Sequence, residues 1–106
     1  MMKMLTAPIK KKLLAQSKVR DSSKNRPVVK FFVPWGAGTW LISEMDSDGD
    51  TLFGLCDLGH ESPELGYVSL SELMSIRGPF GLKIERDLYF VADGTLSEYA
   101  AGSLAA

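Results

Sequence analysis

Three short β-rich runs, separated by two turn sequences, constrain this chain more than any other feature. The runs cover residues 28–33, 39–43 and 51–57, and each is rich in β-branched, aromatic or aliphatic residues. Residues 34–38 and 46–50 separate them and contain the Gly, Pro and Asp residues that favour tight turns. The spacing predicts three antiparallel strands in a meander.

Beyond the third run, the spacing of apolar residues changes from strand-like to helical. We interpret residues 59–67 as a turn-rich crossing. Ser69, with Glu72 three positions later, forms a capping-box signature in front of apolar residues at helical spacing, which predicts a short helix. The Gly and Pro residues of segment 77–81 end that helix.

The remaining segments carry weaker signals. Residues 82–91 are interpreted as one broken strand or two short ones, and residues 95–100 as a last helical turn. Near the N-terminus, Thr6 is a candidate N-cap with Pro8 in the first turn, which favours a short basic helix. Residues 21–27 are polar and are interpreted as a flexible linker or loop.

Together these segments predict a single α+β domain. A chain of 106 residues with 45% hydrophobic content is large enough for one core. We expect a small twisted antiparallel sheet of about four to five strands with one short packed helix and a basic N-terminal helix or arm. The expected division is 1–27 for the arm and linker, 28–93 for the core, and 94–106 for a C-terminal turn and flexible tail.

The net charge of -1 conceals a strong separation of charge along the chain. Residues 1–30 carry nine Lys and Arg residues against one acid, whereas residues 31–106 carry three against twelve. A basic segment of this kind attracts polyanions even when the whole chain is nearly neutral. The alternative is that the basic segment folds back onto its own acidic body.

The basic segment leads to a hypothesis of nucleic-acid binding. Cations contact phosphates, and exposed aromatic rings stack on unpaired bases. At least one of Phe31 and Phe32 is expected to be buried, whereas Trp35 lies in a Gly/Pro turn and is expected to be exposed. The predicted nucleic-acid-binding residues are Lys10, Lys11, Lys12, Lys18, Arg20, Lys24, Arg26, Lys30 and Trp35.

A protein-interaction module is the competing hypothesis. In this alternative, an acidic surface imitates a polyanion and occupies a basic groove on a host protein, as an inhibitor or adaptor does. The residues that would form this surface are Asp46, Asp48, Asp50, Asp57, Glu61 and Glu64.

The motifs for catalysis, metals and cofactors are weak. The alternating acids of turn 46–50 resemble a calcium loop, but Thr51 occupies the position where that loop needs glycine. Cys56 and His60 are too few for a structural zinc site, and we expect a buried thiol and a turn histidine. Phosphate-binding glycine loops and a nucleophile elbow are absent from the sequence. We therefore expect no catalytic residues, metal or cofactor, and a non-enzymatic binding protein.

Several further expectations concern the location of the protein and its ends. One cysteine, the absence of a long apolar run and the absence of a secretory signal pattern favour a cytoplasmic protein. The terminal Leu-Ala-Ala resembles a bacterial degradation tag, although a flexible terminus is the simpler interpretation. Charged residues near the Gly-Pro turn, namely Arg77, Glu85, Arg86 and Asp87, are expected to form an ion-pair cluster.

A longer pattern resembles a known family. It includes Gly-His-Glu at 59–61, Glu-Leu-Gly-Tyr at 64–67, Arg-Gly-Pro-Phe-Gly-Leu at 77–82 and Ile-Glu-Arg-Asp-Leu-Tyr-Phe at 84–90. This pattern is similar to that of small bacterial proteins grouped as domain of unknown function 2958. The resemblance implies a small cytoplasmic protein, often carried on plasmids and other mobile elements, with no established activity.

Overall fold

The chain folds into a five-stranded antiparallel sheet with helices on both faces. The computed structural model describes residues 4–18, 21–59, 62–102 and 104. Within these residues, the elements in chain order are α1 (Ala7–Gln16), β1 (Val29–Phe32), β2 (Thr39–Met45), β3 (Thr51–Asp57), β4 (Glu64–Ser69), α2 (Leu70–Ser75), β5 (Glu85–Arg86) and α3 (Leu96–Ala100).

The strand order is β4-β3-β2-β1-β5, so the predicted meander and the predicted number of strands are confirmed. In β2 and β3, Leu41 pairs with Leu55, and the register shifts between Ile42 and Glu44. This shift leaves Ser43 as the extra residue of a bulge in β2. At one edge of the sheet, β5 is a two-residue strand that pairs with β1.

One face of the sheet, called here the first face, carries the larger core. Alternation along the strands places Phe31, Ile42 and Leu52 on this face, where each is at most 1% exposed. Leu13 of α1 and Leu73 of α2 pack against them in the same cluster. The prediction that Phe31 or Phe32 is buried is confirmed, since Phe31 is fully buried.

The opposite side, called here the second face, is covered by the C-terminal helix. Leu41 and Leu55 of the sheet pack with Leu96 and Tyr99 of α3, and all four are buried. Leu104 packs against this cluster as well. The other residues of the proposed degradation tag, Ala105 and Ala106, lie outside the described residues.

The basic N-terminal segment forms a helix that packs on the sheet. Thr6 caps α1 as expected, because its hydroxyl accepts the backbone N–H of Ile9 at 3.4 Å. Leu13 is completely buried, and the Gln16 side chain donates to the carbonyl of Ser43 in β2 at 2.6 Å. These contacts correspond to the alternative in which the basic segment folds back onto the acidic body.

The polar loop at residues 21–27 is also held by hydrogen bonds. It contains a 3-10 turn at Ser22–Lys24, and Asn25 is buried. The Asn25 amide donates to the carbonyl of Gln16 at 3.2 Å, and its own carbonyl accepts the backbone N–H of Leu96 at 2.9 Å. The loop thereby connects α1 to α3.

The prediction for residues 59–67 was wrong in part, because residues 64–69 form β4. Glycine and proline in this segment suggested turns, but pairing with β3 determines the structure, and Gly66 lies opposite Gly54. The helix after it is confirmed, with Ser69 accepting the backbone N–H of Glu72 at 3.3 Å. The predicted last helical turn is also confirmed as α3, which has a complete capping box.

Candidate interaction surfaces

The cationic residues predicted to bind nucleic acid occupy different parts of the molecule. Lys10, Lys11 and Lys12 are exposed on α1, and Lys18 is exposed just beyond it. Lys24 and Arg26 are exposed in the loop that follows, whereas Lys30 in β1 is half-buried. Arg20 lies outside the described residues.

These cations do not form a single surface. Lys30 pairs with Leu41, a residue of the second face, whereas α1 covers the first face. The loop that carries Arg26 is bonded to α3, since the Asn25 carbonyl accepts the Leu96 backbone N–H at 2.9 Å. Hydrogen bonds from the Thr95 backbone and side chain lower the pKa of Glu98, and the Arg26 charge lowers it further. The structure thus places Lys30 on the face opposite α1, whereas Arg26 lies beside the end of that helix, because the Gln16 side chain donates to the Arg26 carbonyl at 3.2 Å.

The expectation that Trp35 is exposed was wrong. Its side chain is half-buried and packs against the core of the first face. A Cβ added to Gly78 would collide with the Trp35 ring, so the ring lies directly against the Gly78 backbone. The Gly/Pro turn of Trp35 therefore packs against a distant loop, and this contact covers part of the ring.

The most exposed aromatic residue is Phe80, at the tip of a short loop. Its side chain is 104% exposed, and its φ of +57° lies in the left-handed region that non-glycine residues seldom adopt. The loop is closed by a hydrogen bond of 2.7 Å from the Gly78 N–H to the Leu82 carbonyl. Below it, Arg77 and Lys83 face each other in an antiparallel bridge.

A second tight turn presents Tyr89. The Asp87 carboxylate accepts the Tyr89 backbone N–H at 2.9 Å, and the Asp87 backbone N–H donates to the Lys30 carbonyl of β1 at 2.9 Å. Tyr89 is 90% exposed, and its neighbours Leu88 and Val91 are exposed too. We refer to residues 78–82 and 87–91 together as the aromatic turns.

The structure gives Arg77 a different role from the expected ion-pair cluster. Its guanidinium donates to the carbonyls of Met74 at 2.6 Å and Ile76 at 3.0 Å, at the C-terminal end of α2. These bonds connect the helix to the Phe80 loop and hold a positive charge at its base.

The acidic turn predicted as an interaction surface has a structural role. The Asp48 carboxylate accepts from Thr51 and Asp50, and the Asp50 carboxylate accepts from Ser69 and Ser71. Hydrogen bonds from the Thr51 side chain lower the pKa of Asp48, and those from the Ser69 side chain lower the pKa of Asp50. These carboxylates join the β2-β3 turn to the start of α2.

The other acids of that predicted surface are dispersed. Asp57 accepts the backbone N–H of Gly59 at 2.9 Å, Asp46 is exposed in the turn before β3, and Glu64 is exposed at the start of β4. Glu61 and His60 lie outside the described residues. Among the described residues, no group of three or more His, Cys, Asp or Glu side chains is placed to hold a metal ion.

A groove on the first face runs along β3 and β4. It encloses about 150 Å³, and the paired glycines Gly54 and Gly66 are among the residues that line it. Trp40, Cys56 and Glu64 lie around it. Cys56 is half-buried and not fully buried as expected, and burial raises the pKa of its thiol, with the Asp57 and Glu64 charges adding to the effect.

The fold and these surfaces define a small α+β protein with exposed aromatic turns. None of its described helices is long and apolar enough to cross a membrane. The sequence profile described as "Protein of unknown function (DUF2958)" matches residues 4–106, so the chain belongs to this family. No curated protein and no solved structure matches the chain.

Sequence reasoning missed Phe80 and Tyr89 as functional candidates. Aromatic residues are more often buried than exposed, and this expectation hid both of them. One available signal was Pro79-Phe80-Gly81, in which an aromatic residue lies between two residues that favour turns. The other was Asp87, a residue type that often begins a turn, two positions before Tyr89.

Proposed function

We propose that this protein is a small, cytoplasmic, non-enzymatic protein-interaction module that docks through its aromatic turns. The observation that carries the proposal is Phe80, which combines complete exposure with a positive φ. The left-handed conformation costs roughly 1 kcal/mol for a residue with a side chain, and the exposed ring gains no packing energy in return. Contact with a partner would compensate for both.

The aromatic turns have the properties of interface anchors. Aromatic residues dominate binding energy when they enter a pocket, and a side chain held in its bound position loses little entropy on binding. The hydrogen bonds from Gly78 to Leu82 and from Tyr89 to Asp87 hold the two turns in place. Exposed aliphatic side chains beside the rings, including Leu82 and Leu88, favour a protein surface as the partner.

The charges near Phe80 indicate the chemistry of that partner. Arg77 and Lys83 face each other at the base of the loop, although the body of the chain is acidic. A partner pocket that accepts the ring is therefore expected to be apolar and rimmed by acidic groups. The mobile-element setting that the family resemblance implies favours a host-cell protein as the partner.

Comparative purification from native cells tests this proposal. Tagged wild-type protein is expected to retain a defined protein that the Phe80→Gly and Tyr89→Ser variants lose, while Lys10→Glu/Lys11→Glu/Lys12→Glu retains it. Both aromatic substitutions remove an exposed ring without opening the core, so each variant is expected to remain folded. Equal retention by all four forms contradicts the proposal.

Nucleic-acid binding is the second candidate function. The observation that favours it is the exposure of Lys10, Lys11 and Lys12 on the outer surface of α1. Fluorescence anisotropy with labelled single-stranded and duplex oligonucleotides tests it at low and physiological salt. Reversing these three charges is expected to weaken binding and flatten its salt dependence, while Lys83→Glu serves as a control away from α1. Unchanged binding excludes α1 as the interface.

Truncation is a poor test of the same idea. Removing the residues before Arg26 would take Leu13 out of the core as well as remove the lysines. Charge reversal on the intact chain separates the two effects, because the three lysines are exposed.

A further inference from the structure

The outer edge of β4 is a second surface with the features of a binding site. The described strands end at β4 on this side, so half of its backbone groups have no strand to pair with. The Asp50 carbonyl accepts the Leu70 N–H, so these two opposite residues form a hydrogen-bonded pair at the end of the β3-β4 ladder. In an antiparallel ladder, hydrogen-bonded pairs alternate with pairs that are not bonded to each other. By that alternation, Glu64, Gly66 and Val68 bond to β3, and the N–H and C=O groups of Leu65 and Tyr67 point outward.

The groove described above adjoins this edge. Gly66 is the link between the two, since it belongs to the edge strand and lines the groove. A Cβ built on Gly66 would have no heavy atom within 4 Å, so the space above it is open. A strand added beside β4 would place alternate side chains on the first face, and the one opposite Gly66 would enter the groove.

The charge around the groove selects among possible occupants. Glu64 is exposed at one end of β4, and its charge and that of Asp57 both act on the Cys56 thiol. Among the apolar residues that line the groove, Trp40, Ile42 and Val68 belong to the first face. An extended strand with an apolar side chain opposite Gly66 and a cationic side chain opposite Glu64 matches both features.

A second copy of the chain fits this edge less well. When two β4 strands pair antiparallel with the same faces aligned and Gly66 at the centre, Gly66 meets its own copy and the groove stays empty. In the same register Glu64 lies opposite Val68, so each carboxylate lacks a partner of opposite charge. A different chain can place an apolar side chain in the groove opposite Gly66 and a cationic side chain opposite Glu64.

We propose that the β4 edge binds an extended peptide segment of a partner protein by strand addition, with an apolar side chain in the groove above Gly66 and a Lys or Arg at Glu64. This surface is separate from the aromatic turns and does not depend on them. In the antiparallel arrangement the cationic residue lies two positions after the groove residue in the partner sequence.

A labelled synthetic heptapeptide tests the proposal on the full chain. Its sequence is threonine, valine, threonine, leucine, valine, lysine, threonine, with the leucine designed to lie opposite Gly66 and the lysine opposite Glu64. Binding is measured by fluorescence anisotropy. Amide exchange measured by NMR is expected to show that the Leu65 and Tyr67 amides become protected on binding. A control peptide carries N-methyl groups at the threonine and valine adjacent to the leucine, which removes the main-chain donors opposite Tyr67 and Leu65.

Two variants examine the side-chain contacts. Gly66→Val places a side chain in the groove, where its Cβ has no heavy atom within 4 Å, and Glu64→Lys reverses the charge at the end of the groove. Each is expected to weaken peptide binding about tenfold or more. Asp46→Lys is the matched charge control, since Asp46 is exposed in the turn at the other end of β3, and it is expected to leave binding within about twofold. Circular dichroism verifies the fold of each variant.

The outcomes distinguish strand addition from the alternatives. Loss of binding with the N-methylated peptide and with both groove variants supports the proposal. It is overturned by absence of binding to the unmodified peptide, by equal binding of the N-methylated peptide, or by a stable dimer that Gly66→Val disrupts, since that dimer would make a second copy the occupant.

Discussion

The glycines Gly54 and Gly66 face each other across β3 and β4, yet their surroundings differ sharply. A Cβ on Gly54 would overlap the backbone carbonyl of Leu41, whereas one on Gly66 meets open space. The first glycine permits the close approach of β2 at the bulge, and the second keeps the groove open. The same residue type therefore has a structural role in one strand and leaves a surface available in the next.

The two glycines give a stability prediction. Gly54→Ala is expected to lower the free energy of unfolding by about 3 kcal/mol, because a rigid backbone atom must move. Gly66→Ala is the control and is expected to change it by less than about 0.5 kcal/mol. Urea denaturation measures both values. Similar losses of unfolding free energy in the two variants would contradict the difference in space around Gly54 and Gly66.

Phe80 gives a second prediction for stability. Phe80→Gly relieves a positive φ and loses no packing, so the free energy of unfolding is expected to stay constant or rise by up to about 1 kcal/mol. Thermal unfolding measures the change. Gly81→Ala is the opposite case, since it places a side chain at φ +75°, and the melting temperature is expected to fall. A clear destabilisation by Phe80→Gly would contradict the solvent-exposed placement of the ring.

At the scale of secondary-structure elements, α2 depends on an aspartate far away in the sequence. Asp50 accepts hydrogen bonds from the Ser69 hydroxyl and the Ser71 backbone N–H, and the Asp50 carbonyl accepts from Leu70. These bonds tie the β2-β3 turn to the first turn of the helix. A short helix of this length is not stable alone, so its attachment to the turn matters.

The Asp50 carboxylate gives a prediction for pH dependence. Hydrogen bonds from Ser69 lower the pKa of Asp50 in the folded chain. A pKa that is lower in the folded state than in the unfolded state stabilises the fold at pH values above the unfolded-state pKa of about 4. This stabilisation is lost as the pH falls through the folded-state pKa. The melting temperature is therefore expected to decrease below about pH 4, and to decrease less steeply in Asp50→Ala, which is also less stable at neutral pH. Equal pH slopes would contradict this role.

The elements also show how far the sequence determined the fold. The predicted bounds of β3 match the structure at 51–57, and Thr6 and Ser69 cap helices where local signals placed them. Strand β4 was missed because local signals around Gly66 indicate turns, whereas its pairing with Gly54 is a tertiary interaction. Trp35 was misjudged for the same reason, since Gly78, far along the chain, packs against its ring.

At the scale of the whole molecule, the basic N-terminal segment is part of the domain. The α1 side chains Ile9 and Leu13 pack with the core of the first face, and Gln16 bonds to β2. The lysines occupy the outward side of the same helix. Charge separation along the sequence therefore corresponds to a basic helix attached to an acidic sheet body.

Substitutions in α1 test this attachment. Leu13→Ala is expected to lower the free energy of unfolding by about 3 kcal/mol, since the side chain is completely buried. Lys11→Ala is the control on the exposed side and is expected to have an effect below about 0.5 kcal/mol. Chemical denaturation measures both. A small effect of Leu13→Ala would indicate that α1 is not packed on the sheet in solution.

Phe80 is proposed to contact a protein partner, and photo-crosslinking at that position detects such a contact. A photoreactive phenylalanine analogue is placed at Phe80 in the native cell, with Leu14 of α1 as the control position and adducts identified by mass spectrometry. We expect one dominant protein adduct from Phe80 that is absent from Leu14 and reduced by Tyr89→Ser. Nucleic-acid adducts, the same adducts from both positions, or none from Phe80 would contradict it.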